Sequence, residues 1–274
     1  MTVVVWVSTG RAQTMTWDNV AEGLAVTLWF PPAVCQDVPP LIAIDIEPSR
    51  YRFSVHYFRE EGLEEPPDIR EWQRRTGHDV VFNAGLFREN FAYLGLLYGN
   101  GRSLGSKQHG TWLGLFAAEP IVPGSAPARI VDLAHEPFDG QSPAYREMAQ
   151  SLMLLDHTGT IRVRKSGKQA QQTLVAEQDN GHILLLKTTE PSTLYDLGRC
   201  LHDAFPNIRR AMAMDGGASS DVALASTFLS KEKSGGTRAW VSYLDEHAAG
   251  HIRLPAVIGI SPRDRPQSRP KPLR

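Results

Sequence analysis

Residues 211–220, Ala-Met-Ala-Met-Asp-Gly-Gly-Ala-Ser-Ser, set an acid, two glycines and two hydroxyls directly after four apolar residues. The apolar run reads as a short strand buried on both faces. Asp215 falls where that strand stops, and Gly216 and Gly217 free the backbone to turn sharply or to approach a ligand closely. Ser219 and Ser220 can donate to an anion or cap a following helix. Together these groups suit a polar ligand; the competing reading is a glycine turn in which Asp215 bonds its own backbone. Residues 79–90, Asp-Val-Val-Phe-Asn-Ala-Gly-Leu-Phe-Arg-Glu-Asn, repeat the arrangement, with a strand ending on Asn83 and Gly85 two residues later. Tyr93–Arg102 adds a strand closed by an Asn-Gly turn signal.

These segments resemble the phosphodiester glycosidase family. Asn83-Ala84-Gly85-Leu86-Phe87 is similar to the family's Asn-Gly-Gly-Tyr-Phe-like element, and Met214-Asp215-Gly216-Gly217-Ala218-Ser219-Ser220 to its Leu-Asp-Gly-Gly-Gly-Ser-Ser. Between them, Gln150–Leu155 looks like a Gln-Ser-Gly-Pro-Leu-Leu strand and Gly181–Leu186 like a Gly-x-Leu-x-Leu-Leu strand. Ser192–Phe205 matches the helix before the Asp-Gly-Gly strand, and Arg253–Gly259 looks like the closing strand, so the resemblance spans residues 80–260. It implies a hydrolase that releases a sugar from a sugar-1-phosphodiester or phosphoglycan. Asp215 and Asn83 would be catalytic, with Gly85, Arg88, Gly216, Gly217, Ser219, Ser220 and Thr173 around the substrate. Relatives are largely secretory or periplasmic, which implies export.

Two departures stand out. Gln172-Thr173-Leu174 occupies the place where the family carries Arg-Thr-Ala. A guanidinium there would grip phosphate oxygens bidentately, so either Gln172 weakens that grip or it points to solvent while Arg88 or Arg164 supplies the charge. Ala218 replaces a third glycine, a mild change unless the position needs positive φ.

Ordinary glycosidases protonate a poor alkoxide leaving group and use a second carboxylate on the other face of the sugar. A phosphate monoester leaves readily, its second pKa being about 6. Such a site needs stabilisation of an oxocarbenium-like centre, a positioned water or nucleophile, and donors for the departing phosphate. Asp215 fits the first or second role. Asn83 would orient sugar or water, and the amides after Asp215 with Ser219 and Ser220 would hold phosphate. No cofactor is called for. A second reading is a non-catalytic phosphoglycan-binding relative. A third is a metal-dependent phosphodiesterase with Asp215 and Asp221 holding magnesium or calcium.

Other polar residues have lesser claims. Arg88 and Glu89 could reach the same cleft or form an exposed ion pair, and His109 lies on a flexible stretch. Ser219 lacks the closing glycine of a G-x-S-x-G elbow. Asp45, Glu47 and Asp156 read as solvated acids.

Hydrophobic content of 42% and charged content of 22% over 274 residues suit a soluble globular chain. A net charge of −1 and pI near 6.8 give no general attraction to nucleic acid. No apolar run reaches the ~18 residues of a membrane span. Val3–Val7 followed by Ser8–Gln13 reads either as the remnant of a signal peptide or as a frayed strand, the second placing the protein in the cytoplasm. Cys35 and Cys200 read as two separate buried thiols, with pairing the alternative if the protein is exported.

Strands are expected at Leu24–Trp29, Leu41–Glu47, Tyr51–Tyr57, Trp112–Phe116 and Ser151–Asp156. A helix over Asp68–Thr76 should be capped by Asp68 and stopped by Gly77, and another over Ser192–Phe205 capped by Ser192 and stopped by Pro206. Strands outnumber helices without βαβ alternation. This implies an α+β fold, a single domain over residues 21–260 on a mixed, strand-rich sheet. Residues 1–20 fall before it, and residues 261–274, with four prolines, read as a disordered basic tail.

Overall fold

A computed structural model describes residues 16–229, 238–245 and 250–265. The chain begins with β1 (Asp18–Ala21), β2 (Leu24–Trp29), β3 (Leu41–Ile46), β4 (Tyr51–Tyr57) and helix α1 (Ile69–Thr76). Next come β5 (Val80–Asn83), β6 (Leu97–Gly99), β7 (Arg102–Ser103), β8 (Gly114–Pro120), β9 (Ala128–Asp132) and the long β10 (Tyr145–Leu155). There follow β11 (Gln169–Ala170), β12 (Thr173–Gln178), β13 (Ile183–Thr188), β14 (Ser192–Thr193), α2 (Leu194–Ala204) and β15 (Ile208–Ala213). The last are β16 (Val222–Leu224), α3 (Ser226–Leu229), α4 (Ala239–Asp245) and β17 (Ala256–Pro262).

The large sheet runs β1-β2-β3-β13-β12-β15-β10-β6-β7, with β8 and β9 branching from β10; the smaller runs β16-β5-β17-β4. The α+β expectation holds. In place of a mixed sheet, the strands of both sheets pair antiparallel among the described residues.

Central strands of the large sheet are apolar on both faces because each face has its own partner. Ile42, Ile44 and Ile46 of β3, Leu185 of β13, Val175 of β12 and Met212 of β15 pack in one core with Phe53, Phe82 and Ile258 of the small sheet. Their neighbours Leu41, Ala43, Leu184, Leu174, Ala211 and Ala213 face the other way, onto Leu197, Cys200, Leu201 and Phe205 of the α2 layer. The period-2 alternation of a strand thus distributes a continuous apolar sequence between two cores. Burying a single leucine or isoleucine this way is worth about 1.5–3 kcal/mol.

Helix α1 follows its sequence signals: the Asp68 side chain accepts from Glu71 N, and Gly77 closes it at φ 67°. Ile69 and Trp72 are its buried face. For α2 the cap is Thr193, not Ser192. Thr193 Oγ1 accepts from Asp196 N at 3.0 Å and donates to the Asp196 carboxylate at 2.6 Å. Ser192 is buried in the pairing of β14 with β11, so its side chain is unavailable to the helix end. Asn100 and Gly101, at φ 51° and 78°, form the turn joining β6 to β7.

Three further expectations are corrected. Cys35 and Cys200 form a disulfide, Cα atoms 5.0 Å apart. It ties the single helical turn Ala33–Cys35 to α2, and a separation of 165 residues leaves no local signal of that proximity. Asp156 is buried, accepting from Thr158 N (2.9 Å), Thr160 N (3.0 Å) and Arg162 Nη1 (3.2 Å). Asp45 and Glu47 stay partly exposed as expected, Asp45 paired with His182 and Gln178 and Glu47 with Ser49 and Arg50. Finally, β17 extends through Pro262, while Arg263 forks onto Glu119 (2.8 and 2.9 Å) and Arg265 reaches Asp79 (2.8 Å). Ordered structure therefore passes the expected boundary at 260. At the other end β1 starts at Asp18. Residues 1–15, bearing the possible signal remnant, and 266–274 of the expected tail lie outside the described residues. No helix among the described residues is long and apolar enough to cross a membrane.

A Cys35→Ala/Cys200→Ala double variant should fold but lose about 2–5 kcal/mol, the usual effect of removing a native disulfide. Urea unfolding of oxidised wild type and variant measures the difference.

Candidate functional site

Asn83 ends a strand of the small sheet and Asp215 follows a strand of the large one, and hydrogen bonds join them across the seam. The Asn83 carboxamide donates to the carbonyl of Asp215 at 2.8 Å and to that of Ala84 at 3.1 Å. Its Oδ1 accepts from Asp221 N at 3.0 Å, and its own backbone N donates to Asp221 O at 3.2 Å. Asp215 N donates to Ala84 O at 3.1 Å. Asn83 thus grips the segment 215–221 at both ends while itself only 1% exposed. An aspartate there could not donate, and a leucine could do neither.

Amides of the segment already have partners. Gly216 N donates to Asp215 Oδ1 (3.0 Å), Gly217 N to Gln171 O (2.8 Å) and Ser220 N to Gly217 O (3.1 Å). The Gly216 and Gly217 amides expected to hold phosphate are therefore already engaged. Gly217 takes φ 70°, where a side chain would be strained. Ala218 is not among the positive-φ residues, which is why the family's third glycine can be an alanine here. Ser219 hydrogen-bonds the Asp215 carboxyl. Ser220 Oγ lies 2.9 Å from Thr173 Oγ1, both buried, as an internal brace.

The structure brings Asn83, Asp215, Gly216, Gly217, Ser219, Ser220 and Thr173 together. Gly85 lies behind them, its amide donating to Tyr93 Oη (2.9 Å), which donates to Gln150 O (2.9 Å). A side chain at Gly85 would strike both groups, so the glycine serves packing. Arg88 is exposed on the turn beyond, its N donating to Ala92 O, and pairs neither with Glu89 nor with another described acid. Gln172 is buried beneath Gly216, not turned to solvent.

Burial raises the Asp215 carboxyl above its ordinary pKa, opposed by Ser219, the Gly216 N–H and the charge of Lys168. Burial also raises Asp221, opposed by His251 and Lys187. His251 Nδ1 sits against Asp221 Oδ2, and its Nε2 receives Arg70 Nε at 3.0 Å. Since Nε2 accepts, Nδ1 carries the proton and donates to Asp221. Val222 N occupies the other Asp221 oxygen (2.9 Å). The supposed second metal ligand is thus turned inward. Among the described residues no group of three or more His, Cys, Asp or Glu could hold a metal ion.

Sequence reasoning missed Lys187, His251 and Gln150. Lys187 is buried, donates to Ser220 O (3.1 Å) and has its pKa lowered by burial, with Asp221 opposing. A lone lysine in the otherwise uncharged Ile183–Thr188 strand was its signal. His251 had none among nine histidines. The fully buried Gln150 carboxamide binds Leu96 N, His109 N, His109 O and Trp112 O. It thereby fixes the loop of His109, whose ring stacks on Trp112 at 3.8 Å.

The family model for phosphodiester glycosidases matches residues 76–244, and the chain belongs to that family. Solved structures with the same fold include a hypothetical protein from Synechocystis (12% identity, TM-score 0.61), aligned over 91% of this chain and 64% of that one. The chain thus spans less than two thirds of that protein's length. Another is the zebrafish N-acetylglucosamine-1-phosphodiester alpha-N-acetylglucosaminidase catalytic domain, auto-inhibited by its pro-peptide (13%, TM-score 0.59, 92% and 87%). A Burkholderia pseudomallei protein named for expected export also aligns (11%, TM-score 0.51, 81% and 74%). No curated protein sequence matches this chain.

Asn83→Ala should lower stability by about 2–4 kcal/mol, because buried backbone groups of Asp215 and Asp221 lose their partners; chemical denaturation measures it. Asp215→Asn should have the opposite effect at neutral pH. A carboxyl whose pKa is raised on folding favours the protonated folded state, so wild type loses stability as pH rises from the ordinary carboxylate range through the raised value. The variant should be the more stable at pH 7.5, and that advantage should shrink towards pH 3.5.

Proposed function

We propose that this chain is a hydrolase that releases a sugar from a sugar-1-phosphodiester, with Asp215 acting at the anomeric carbon. The observation that carries the reading is the grip of Asn83 on both ends of segment 215–221. That grip turns Asp221 inward to His251 and leaves Asp215 the partly exposed acid of the turn. Held by Gly216 N and Ser219, the Asp215 carboxylate stabilises positive charge developing at C1 or orients the attacking water. Phosphate departs without a general acid. Thr173, Ser220 and Lys187 keep the turn rigid from below. The disulfide supports an exported protein, since such bonds persist in oxidising compartments.

Incubation with a GlcNAc-1-phosphodiester in oxygen-18 water, with and without chelator, tests this. The expected result is chelator-insensitive turnover with label in the sugar, and a roughly 10²–10³-fold lower kcat in folded Asp215→Asn. Label in phosphate would establish P–O cleavage instead, and binding without turnover would make the protein a phosphoglycan binder.

A further inference from the structure

Helix α1 is held at each end by a histidine whose packing requires it to be neutral. At the carboxyl end, Gln73 Nε2 donates to the carbonyl of the buried His78 at 3.0 Å. His78 Nε2 lies 2.8 Å from His56 Nε2 on β4, and His56 Nδ1 lies 2.8 Å from the Glu61 carboxylate, to which it donates. One proton serves the contact between the two rings, and a second would set two cations against each other. The His78 ring fills the space over Gly259 of β17, where even a Cβ would strike it, and its Nδ1 is buried with no hydrogen-bond partner among the described residues. Further charge reaches it from Arg265, paired with Asp79, and from Arg52 of β4. At the amino end, Arg70 Nε donates to His251 Nε2 and Arg70 Nη2 to Leu244 O, each at 3.0 Å, while Asp221, facing Lys187, takes the Nδ1 proton. A proton added at Nε2 removes the lone pair that Arg70 uses and sets a cation against the guanidinium. The strands packed on α1, β5, β16 and β17, carry no ionisable side chain, and its own Glu71, Arg74 and Arg75 pair with one another.

We propose that α1 is an acid-released element: protonation of His78 and His251 frees the two ends of the helix and removes the support that Arg70 and His251 give Asp221. The inference goes beyond the hydrolase reading and stands without it, since it concerns the packing of a helix and not the bond cleaved. Burial, the facing His56 and the charges of Arg265 and Arg52 push His78 down from the ordinary 6.5 to about 3. Released, the ring regains its ordinary value. Its support of the packed helix is therefore complete above about 6.5 and is lost as pH falls through 6.5 towards 3, the open form gaining about tenfold per pH unit. Because one latch touches Asp221, the far end of segment 215–221 slackens with the helix.

Amide hydrogen exchange of the intact protein between pH 7.5 and 4.5, corrected for the intrinsic pH dependence of exchange, tests the release. The opening constant of α1, read at the amides of Trp72 and Gly77, should rise at least about 100-fold over that range. At pH 4.5 these amides should open ahead of Val175 and Leu185 in the large sheet. His78→Gln, which cannot take up the proton, should show a rise at least about tenfold smaller. In wild type itself, ring nitrogen shifts should find His78 neutral in the folded population down to pH 4.5. An α1 opening constant indifferent to pH, or α1 exchanging only together with the large sheet, would overturn the proposal. So would an undiminished rise in His78→Gln, or a charged His78 beneath a helix that stays protected.

Discussion

One buried carboxamide fastens the two sheets at the Asp215 turn. Asn83 belongs to the small sheet, but its side chain is spent on backbone groups of a segment launched from the large one. Both ends of that segment are held, so the seven residues from Asp215 to Asp221 behave as a short bridge of fixed span. Few other side chains could do this. The site needs one group that both donates and accepts, is neutral when buried, and is short enough to stay close to its own strand. The glycines then follow as geometric necessities: Gly217 for its left-handed turn, Gly216 for clearance over Gln172, and Gly85 for clearance against Tyr93 and Gln150.

The charges are arranged in two tiers. Beneath the bridge, Asp221 shares a polar network with His251, Arg70 and Lys187, in which the buried carboxylate is set against the buried Lys187 cation. Such networks contribute little net stability and much definition, because removing one member strands the rest. Above it, Asp215 has hydrogen-bond donors but, among the described residues, no cation in contact, the more distant charge of Lys168 being the one that bears on it. The lower tier holds the segment in place, and the upper acid is left available. A single segment thus carries two aspartates with opposite fates, decided by which way each faces across the seam.

Much of this was legible in the sequence, for local reasons. Asp68 and Gly77 bound α1 because caps act within one turn, and Asn100-Gly101 could only be a tight reversal. The strand ends at Asn83 and Asp215 were readable because an apolar run met a polar residue and a glycine. What could not be read was long-range. That the amides after Asp215 serve the bridge itself depends on Gln171 O, and the burial of Asp156 on Arg162 and the turn it closes. Ser192 reads as a cap because nothing local announces its pairing to β11. Lys187 was visible as a charge in an apolar strand, but its meaning needed Asp221, 34 positions away, to be placed over it.

The bond between Cys35 and Cys200 spans 165 residues and so has a consequence in time as well as space. During synthesis Cys35 emerges long before its partner, and at about 5–20 residues per second the wait is roughly 8–33 s. Throughout that interval the β2 and β3 strands exist without the α2 layer that covers one of their faces, and without β13 beside them. The thiol is exposed to whatever oxidants and isomerases surround the nascent chain. The amino-terminal third of the molecule can be completed only after its carboxy-terminal half has arrived. For this protein, the supply of folding helpers in its compartment would bear on yield as much as the stability of the finished fold.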